Sequence, residues 1–482
     1  MALSSVPEQP VVVDGRRLTC EHVRRVARDQ APVRVHPDGV ARARAAYEAV
    51  RAVQVEQPVY GRTTGVGANR SVEVTEPAHG LRLLRSHAGG AGPLLDAART
   101  RAMLLVRLNQ LAAGGSGVDP AMLDVLAEVL NRGLVPPVRT FGSIGTGDLT
   151  ALASVALCLI GEAPWQYGSL EPYRLDPADA LAFISSNAAT VGEAALSLAD
   201  ARELLYASIV IAALAFLAVD GNPEPYAEAV HEARPHPGQQ AVAARLRELL
   251  ADQPIKPARI QDPFSYRAVP QVHGPAIDAA IHLERVLAIE MNSAGENPLV
   301  DARHRRVLHN GNFHTAYLGL ALDAMRVALF QTSALSAARL STLMEPEFTG
   351  QRPFLAAGPE GSSGLMILEY VAQSALAHLR QHAAPAALAT AVVSRGVEEH
   401  ATFSSQAARN TSEAVYAYRV VLSCELVATV RALRMRGLTP APGALREAYE
   451  LADAALSPVT TDRSLDEDLD QAARVLPQLA GL

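Results

Sequence analysis

A mainly α-helical fold is predicted by three features of the 482-residue sequence. Its apolar residues (49%) are largely aliphatic, with Phe, Tyr and Trp at only 5%, and many sit in Ala- and Leu-rich stretches that favour helix over strand. Apolar positions recur at three- and four-residue steps through several long segments. Gly- and Pro-rich turns separate those segments. A β-sandwich or barrel is therefore not expected. The length accommodates two or three domains of about 150 residues each, or one large helical enzyme.

In chain order, 41–55 mixes Arg and Glu with Ala and Val at helical spacing, and 121–131 reads as amphipathic. One long helix is expected over 192–219, ending in the longest uncharged apolar run, 204–219. That run is short for a membrane span, which needs about 20 residues, and contains Tyr206 and Ser208, so it reads as a buried core helix. Further helices are expected over 275–291, 315–344, 365–382 and 404–434. The turns at 60–69, 88–93, 114–120, 136–147, 252–275 and 353–364 are where functional groups converge in a helical scaffold. The Pro-, His- and Glu-rich stretch 220–239 reads as a long surface loop.

Lys and Arg total 43 against 50 Asp and Glu, a formal net charge of −7. A nucleic-acid binder needs a basic face to neutralise phosphates, so nucleic acid is not an expected partner, and no segment suggests a membrane. Cys20, Cys158 and Cys424 are far apart and form no CxxC pair. This suggests neither a disulfide framework nor a zinc ribbon and makes a reducing cytoplasm the expected compartment. Residues 1–10 lack the basic-then-apolar pattern of a secretion signal.

The most unusual short stretch is Phe141-Gly142-Ser143-Ile144-Gly145-Thr146-Gly147-Asp148-Leu149, followed by the apolar run 150–160. Glycines before a helix bring backbone amides close to a ligand, and the helix N-terminus favours anionic charge. The GK[ST] ending of a phosphate loop is missing, however. Taken alone, the stretch reads as a tight turn with Asp148 capping a helix.

Five other motifs stand in register with it: Val59-Tyr60-Gly61-Arg62-Thr63-Thr64-Gly65, Arg85-Ser86-His87-Ala88-Gly89, Gln261-Asp262-Pro263-Phe264-Ser265-Tyr266-Arg267, Glu296-Asn297-Pro298, and Asn310-Gly311-Asn312-Phe313-His314. Together the six resemble the histidine and phenylalanine ammonia-lyase family, whose members deaminate or isomerise aromatic amino acids. Resemblance runs from Asp14-Gly15-Arg16 through Gly114-Gly115-Ser116-Gly117 to Asp462-Arg463-Ser464. It implies an almost all-helical subunit, with the active-site loops in 1–190 and a long central helix bundle plus C-terminal helices in 191–482, as one catalytic unit. It also implies a homotetramer whose active sites draw on several subunits.

In that family an internal Ala-Ser-Gly triplet cyclises with loss of two waters to 4-methylidene-imidazol-5-one (MIO), an electrophile built from the chain itself; no external cofactor or metal is implied. Tyr60 matches the family's base for the β-proton, with a pKa expected to be lowered by its surroundings. Arg267 matches the arginine that grips the substrate carboxylate, a task suited to a planar two-pronged donor. Asn187 and Gln261 match amides that bond the prosthetic group or the substrate amine, and Phe313 an aromatic neighbour of that group. His87 and Glu398 match residues typical of the histidine branch and suit a polar ring that both donates and accepts hydrogen bonds. The implied substrate is an L-histidine-like or related polar aromatic amino acid.

Two departures stand out. The triplet is Gly145-Thr146-Gly147, so the eliminated hydroxyl would come from a threonine. Dehydration would leave an ethylidene group whose methyl crowds the electrophilic carbon; the alternative is that Thr146 stays intact. Phe264 occupies the position of the family's second essential tyrosine. Removal of one preorganised hydroxyl donor costs about 10²- to 10³-fold in rate. Tyr266, two residues along an extended segment, would point similarly but reach a different spot. Thr63 stands where an asparagine is common.

These departures leave two alternatives to ammonia elimination: another acid-base reaction (addition, elimination or cyclisation in specialised metabolism) without the prosthetic group, or a binding homologue. Gly361-Ser362-Ser363-Gly364-Leu365-Met366 lacks the Lys-Asn of the fumarase loop, and Gly65-x-Gly67 lacks the third glycine of a dinucleotide fingerprint. His378 and His382 stand at i, i+4, but HExxH and an evident third ligand are missing, so zinc is not expected.

Overall fold

The computed structural model describes residues 9–482, so all but the last two residues of the segment read for a secretion signal lie outside it. Among the described residues there are eighteen α-helices and six strands of three or four residues. The mainly helical expectation holds. By internal contacts the chain forms two compact units. The first holds the described residues up to Ala199 together with Leu283–Leu322 and Pro385–Arg409; the second holds Asp200–His282, Asp323–Ala384 and Asn410–Leu482. A single division near residue 190 describes chain order only, because two later segments belong to the first unit.

The first unit contains α1 (Cys20–Arg28), α2 (Pro37–Glu56), α3 (His79–His87), α4 (Ala97–Ala113), α5 (Ala121–Asn131), α6 (Leu149–Leu159), α7 (Ala180–Ile184) and the start of α8 (Ala188–Ala218). Strand β1 (Val11–Val13) pairs in parallel with β2 (Val33–Val35), β3 (Ala91–Leu94) with β4 (Arg139–Phe141) antiparallel, and β5 (Leu299–Asp301) with β6 (Arg306–Leu308) as a hairpin. One face of α2 packs Ala46, Ala49, Val50 and Val53 on Val300 and Val307 of that hairpin.

Helix α4 starts where the Asp96 carboxylate accepts from Arg99 N–H (2.8 Å), and it stops at Gly114 in the left-handed region (φ 91°). It is buried almost all round, and so shows little of the one-sided pattern that betrays a surface helix. Its two inward arginines are satisfied. Arg107 pairs with Glu296 at 2.9 Å and donates to the carbonyls of Phe183 (2.9 Å) and Ala182 (2.6 Å), while Arg101 donates to Val26 and Leu130 carbonyls. That arrangement ties α4 to the cavity wall described below.

The second unit holds the rest of α8, then α9 (Glu228–Glu232), α10 (Pro237–Leu250), α11 (Phe264–Arg267), most of α12 (Val269–Met291), most of α13 (Ala316–Leu343), α14 (Pro346–Thr349), α15 (Met366–His382), most of α16 (Ser404–Met435), α17 (Ala444–Ala455) and α18 (Asp466–Ala480). The expected loop at 220–239 is largely exposed, but it also holds a 3-10 turn (Glu224–Tyr226), α9 and the first residues of α10. Asn222 Oδ1 accepts from Glu224 N–H (3.0 Å), and Pro237 occupies the first turn of α10, where its missing N–H costs nothing. Arg339 and Glu425 form a fully buried, two-pronged pair (2.6 and 2.9 Å), and Arg339 also donates to the Ser265 carbonyl at 3.2 Å. The stretch Pro177–Ala218 and α13 are apolar and long enough to cross a membrane, but 83% and 61% of their most apolar windows are buried in the protein. This is the core-helix reading expected for 204–219.

Candidate active site

A cavity of about 1220 Å³ opens in the first unit. Tyr60, His87, Thr146, Gly147, Phe313 and Glu398 all line it, so residues spread over more than 300 positions converge there. The loops are knitted together by the motifs that made the sequence unusual. Asn310 N–H donates to Asn297 Oδ1 (2.9 Å), and Asn310 Nδ2 to the Glu296 carbonyl (3.0 Å), joining two motifs across β5 and β6. Thr63 accepts from Val59 N–H at 2.8 Å and closes the Tyr60 loop, and Arg62 anchors that loop on buried Asp179 at 2.9 Å. The Glu398 loop meets it where Ser394 Oγ accepts from Ala68 N–H (2.9 Å).

The Tyr60 hydroxyl accepts a hydrogen bond from Gly67 N–H at 2.8 Å. Burial nevertheless raises its pKa above 10, and the Glu398 carboxylate adds to the rise. The expected lowering is overturned, because the Gly67 amide and Arg70 oppose the desolvation too weakly. His87 Nδ1 lies 2.9 Å from the Leu83 carbonyl, which can only accept. The Nδ1 proton is therefore directed there, and in that tautomer Nε2 is the ring's acceptor.

Asn187 sits behind the cavity wall. Its Oδ1 accepts from Gly147 N–H (3.0 Å) and its Nδ2 donates to the Phe313 carbonyl (2.7 Å), which fixes the amide's orientation. The glycine amides at 145 and 147 are thus not a free anion nest: Gly145 N–H donates to Ser143 Oγ at 3.3 Å. Asp148 does precede α6, but its side chain makes no cap there. It binds Thr190 N–H (2.8 Å) and Thr190 Oγ1 (2.9 Å) at the start of α8, fully buried, and burial raises its pKa.

Gln261, Phe264 and Arg267 belong to the second unit and do not line this cavity. Gln261 is exposed, and Phe264 is 66% exposed with the Arg267 guanidinium stacked 4.5 Å from its ring centre. The segment is a helical turn rather than extended. Two residues on, at roughly 100° per residue, Tyr266 points to the opposite side and is buried (1% exposed). Tyr266 therefore cannot stand in for the missing hydroxyl. His309, His314 and His400 also line the cavity, with His400 Nδ1 3.1 Å from His314 Nε2. His314 ends the Asn310–His314 motif and His400 stands two residues after Glu398, and nothing in their sequence spacing marks either as a site residue.

The pair His378 and His382 does find a third group: Glu413 of α16, the three donor atoms lying within 4.8 Å of one another on an exposed face. Each histidine already has a partner, His378 in Glu413 (3.3 Å) and His382 in Asn410 (3.3 Å).

Residues 18–454 match the aromatic amino acid lyase family. The chain belongs to that family. It is 34% identical to a histidine ammonia-lyase of Treponema denticola over 490 residues, covering 97% of each chain. A tyrosine aminomutase from Streptomyces globisporus superposes with a TM-score of 0.92 at 29% identity, covering 98% of this chain and 97% of that one. A histidine ammonia-lyase from Trypanosoma cruzi does so with a TM-score of 0.90 at 26% identity, covering 98% and 94%. At Gly145 of this aromatic amino acid lyase a β-carbon would lie 1.9 Å from Thr402 Oγ1 and 2.8 Å from Ser404 Oγ. An alanine does not fit this loop as it is folded.

Proposed function

We propose that this aromatic amino acid lyase eliminates ammonia from an L-histidine-like amino acid. The observation that carries the reading is the convergence of Tyr60, His87, Phe313 and Glu398 on one cavity beside the Gly145-Thr146-Gly147 turn. The His87 acceptor and the Glu398 carboxylate suit a ring with N–H groups. The Tyr60 phenolate removes the β-proton as the Cα–N bond breaks, a Cα=Cβ bond forms and ammonia departs.

The residues of the triplet fit the family's self-derived group: both glycines adopt positive φ, the Gly147 amide is held by Asn187, and the Gly145 carbonyl is held by hydroxyls. When formed, that group supplies an electrophile for the substrate amine or ring. Asn187 and Phe313 flank it. The arginine for the substrate carboxylate is Arg267, with Gln261 and Phe264, supplied by a neighbouring subunit of a homotetramer. Exposed apolar residues such as Phe264, Tyr317 and Leu320 support such an assembly, as does a buried Arg267 Nε without a hydrogen-bond partner. Three buried free cysteines fit a cytoplasmic setting.

The test is ammonia release from L-histidine, L-tyrosine and L-phenylalanine, followed with the absorbance of the unsaturated acid. Turnover of histidine first among them supports the proposal; binding of all three with no product overturns it. Phe264 favours a second reading, a slower acid-base reaction on a bound aromatic amino acid, because no hydroxyl replaces the missing one. Activity preserved in Thr146→Ala would identify that case.

A further inference from the structure

The Gly145 carbonyl oxygen lies among buried hydroxyls. Thr315 Oγ1 and Thr402 Oγ1 each donate to it at 3.0 Å, and the Thr315 N–H approaches at 3.4 Å. Each hydroxyl has its own neighbour behind it: Ser404 Oγ lies 2.6 Å from Thr315 Oγ1, and Ser404 N–H donates to Thr402 Oγ1 at 3.3 Å. Thr315 and Ser404 are fully buried, and Thr402 is 4% exposed. A turn carbonyl needs only one donor to be satisfied. Two aligned hydroxyls, polarised by donors of their own in a buried site, are arranged to stabilise charge that grows on that oxygen.

We propose that Thr315 and Thr402 form an oxyanion hole for closure of the chain's own Gly145-Thr146-Gly147 segment, with Ser404 as a positioning residue. This rests on the reading that the triplet closes. In the first step the Gly147 nitrogen bonds to the Gly145 carbonyl carbon, the nitrogen losing its proton and the oxygen gaining one. The C–O electron pair moves onto the oxygen that Thr315 and Thr402 face. That oxygen then leaves as water with the Thr146 N–H proton, and a C=N bond forms. Thr146 Oγ leaves as a second water with the α-proton of Thr146, which creates the exocyclic C=C bond. No oxidant or reductant is required. The absence of a β-carbon at 145 is part of the device, because one would occupy the place of the Thr402 hydroxyl.

The experiment follows intact mass over time after synthesis, in the natural chain and in Thr146→Ser, each with and without Thr315→Val/Thr402→Val. Melting temperatures establish that the variants fold, and Thr315→Ser/Thr402→Ser restores both hydroxyls. Closure slowed about 10²- to 10³-fold by the valines and restored by the serines supports the proposal. Ser404→Ala should slow closure with an unchanged melting temperature, and Ser404→Thr should restore it. Equal closure with and without the hydroxyls overturns the oxyanion hole and leaves the lyase reading standing. A natural chain at full mass, with Thr146→Ser closing only when the hydroxyls are present, upholds the hole and removes the prosthetic group from the natural enzyme. Full mass in both backgrounds overturns both.

Discussion

The Thr402 hydroxyl and Gly145 are complementary: the hydroxyl donates to the Gly145 carbonyl at 3.0 Å and lies 1.9 Å from where a β-carbon of residue 145 would stand. Relative to an Ala-Ser-Gly triplet, the extra methyl has moved from position 145 to the side chain of position 146. Gly145→Ala should therefore destabilise the protein by about 1–3 kcal/mol, the range for overpacking, with backbone strain adding to it at φ +88°. Denaturant unfolding checks the loss, and Thr402→Ala in the same chain should recover part of it.

Tyr60 should make the reaction favour alkali. Its pKa is raised above 10, so the phenolate fraction grows about tenfold per pH unit below that value. The expected kcat/KM rises with pH to at least 10, and Tyr60→Phe abolishes turnover. A plateau in kcat/KM beginning near pH 7 would show that the phenol of the free enzyme ionises well below its ordinary range, contrary to this account.

Phe264→Tyr should raise turnover by about 10²- to 10³-fold in the assembled enzyme, since it restores one hydroxyl donor. Tyr266→Phe should leave turnover unchanged and stability equal or slightly higher, because the buried Tyr266 hydroxyl has no hydrogen-bond partner. Steady-state rates of the two variants, measured side by side, separate the positions.

The buried Arg107–Glu296 pair holds the loops that end at Asn297 and at Ser185, both lining the cavity. Arg107→Met leaves Glu296 buried without its cation and should cost about 3–5 kcal/mol in denaturant unfolding. Glu296 already has a pKa raised by burial. Losing the arginine raises it further, so the variant's deficit should shrink as pH falls and Glu296 becomes neutral.

Helices were legible in the sequence where apolar residues recur at helical steps, as at 121–131 (α5) and 404–434 (α16), or run on unbroken, as at 192–219 (α8). Helix α4 was not, because a helix buried on every side with two inward arginines shows no polar face. The extended geometry assumed for 264–267 failed for a local reason, the helical turn that follows Pro263. The family resemblance located Tyr60, His87, Phe313 and Glu398 at the cavity, His87 as the last residue of α3 and the others on connections between helices. The hydroxyls of Thr402 and Ser404 carry no such signal, and only folding brings them to Gly145, more than 250 positions away. The direction of the Tyr60 pKa was likewise invisible, because it depends on how deeply the ring is buried.

The most direct measurement is the mass of the peptide carrying residues 145–147, cut from the purified natural protein. The account predicts a deficit of two water molecules confined to Gly145-Thr146-Gly147, and a peptide at full mass with Thr146 intact would contradict it.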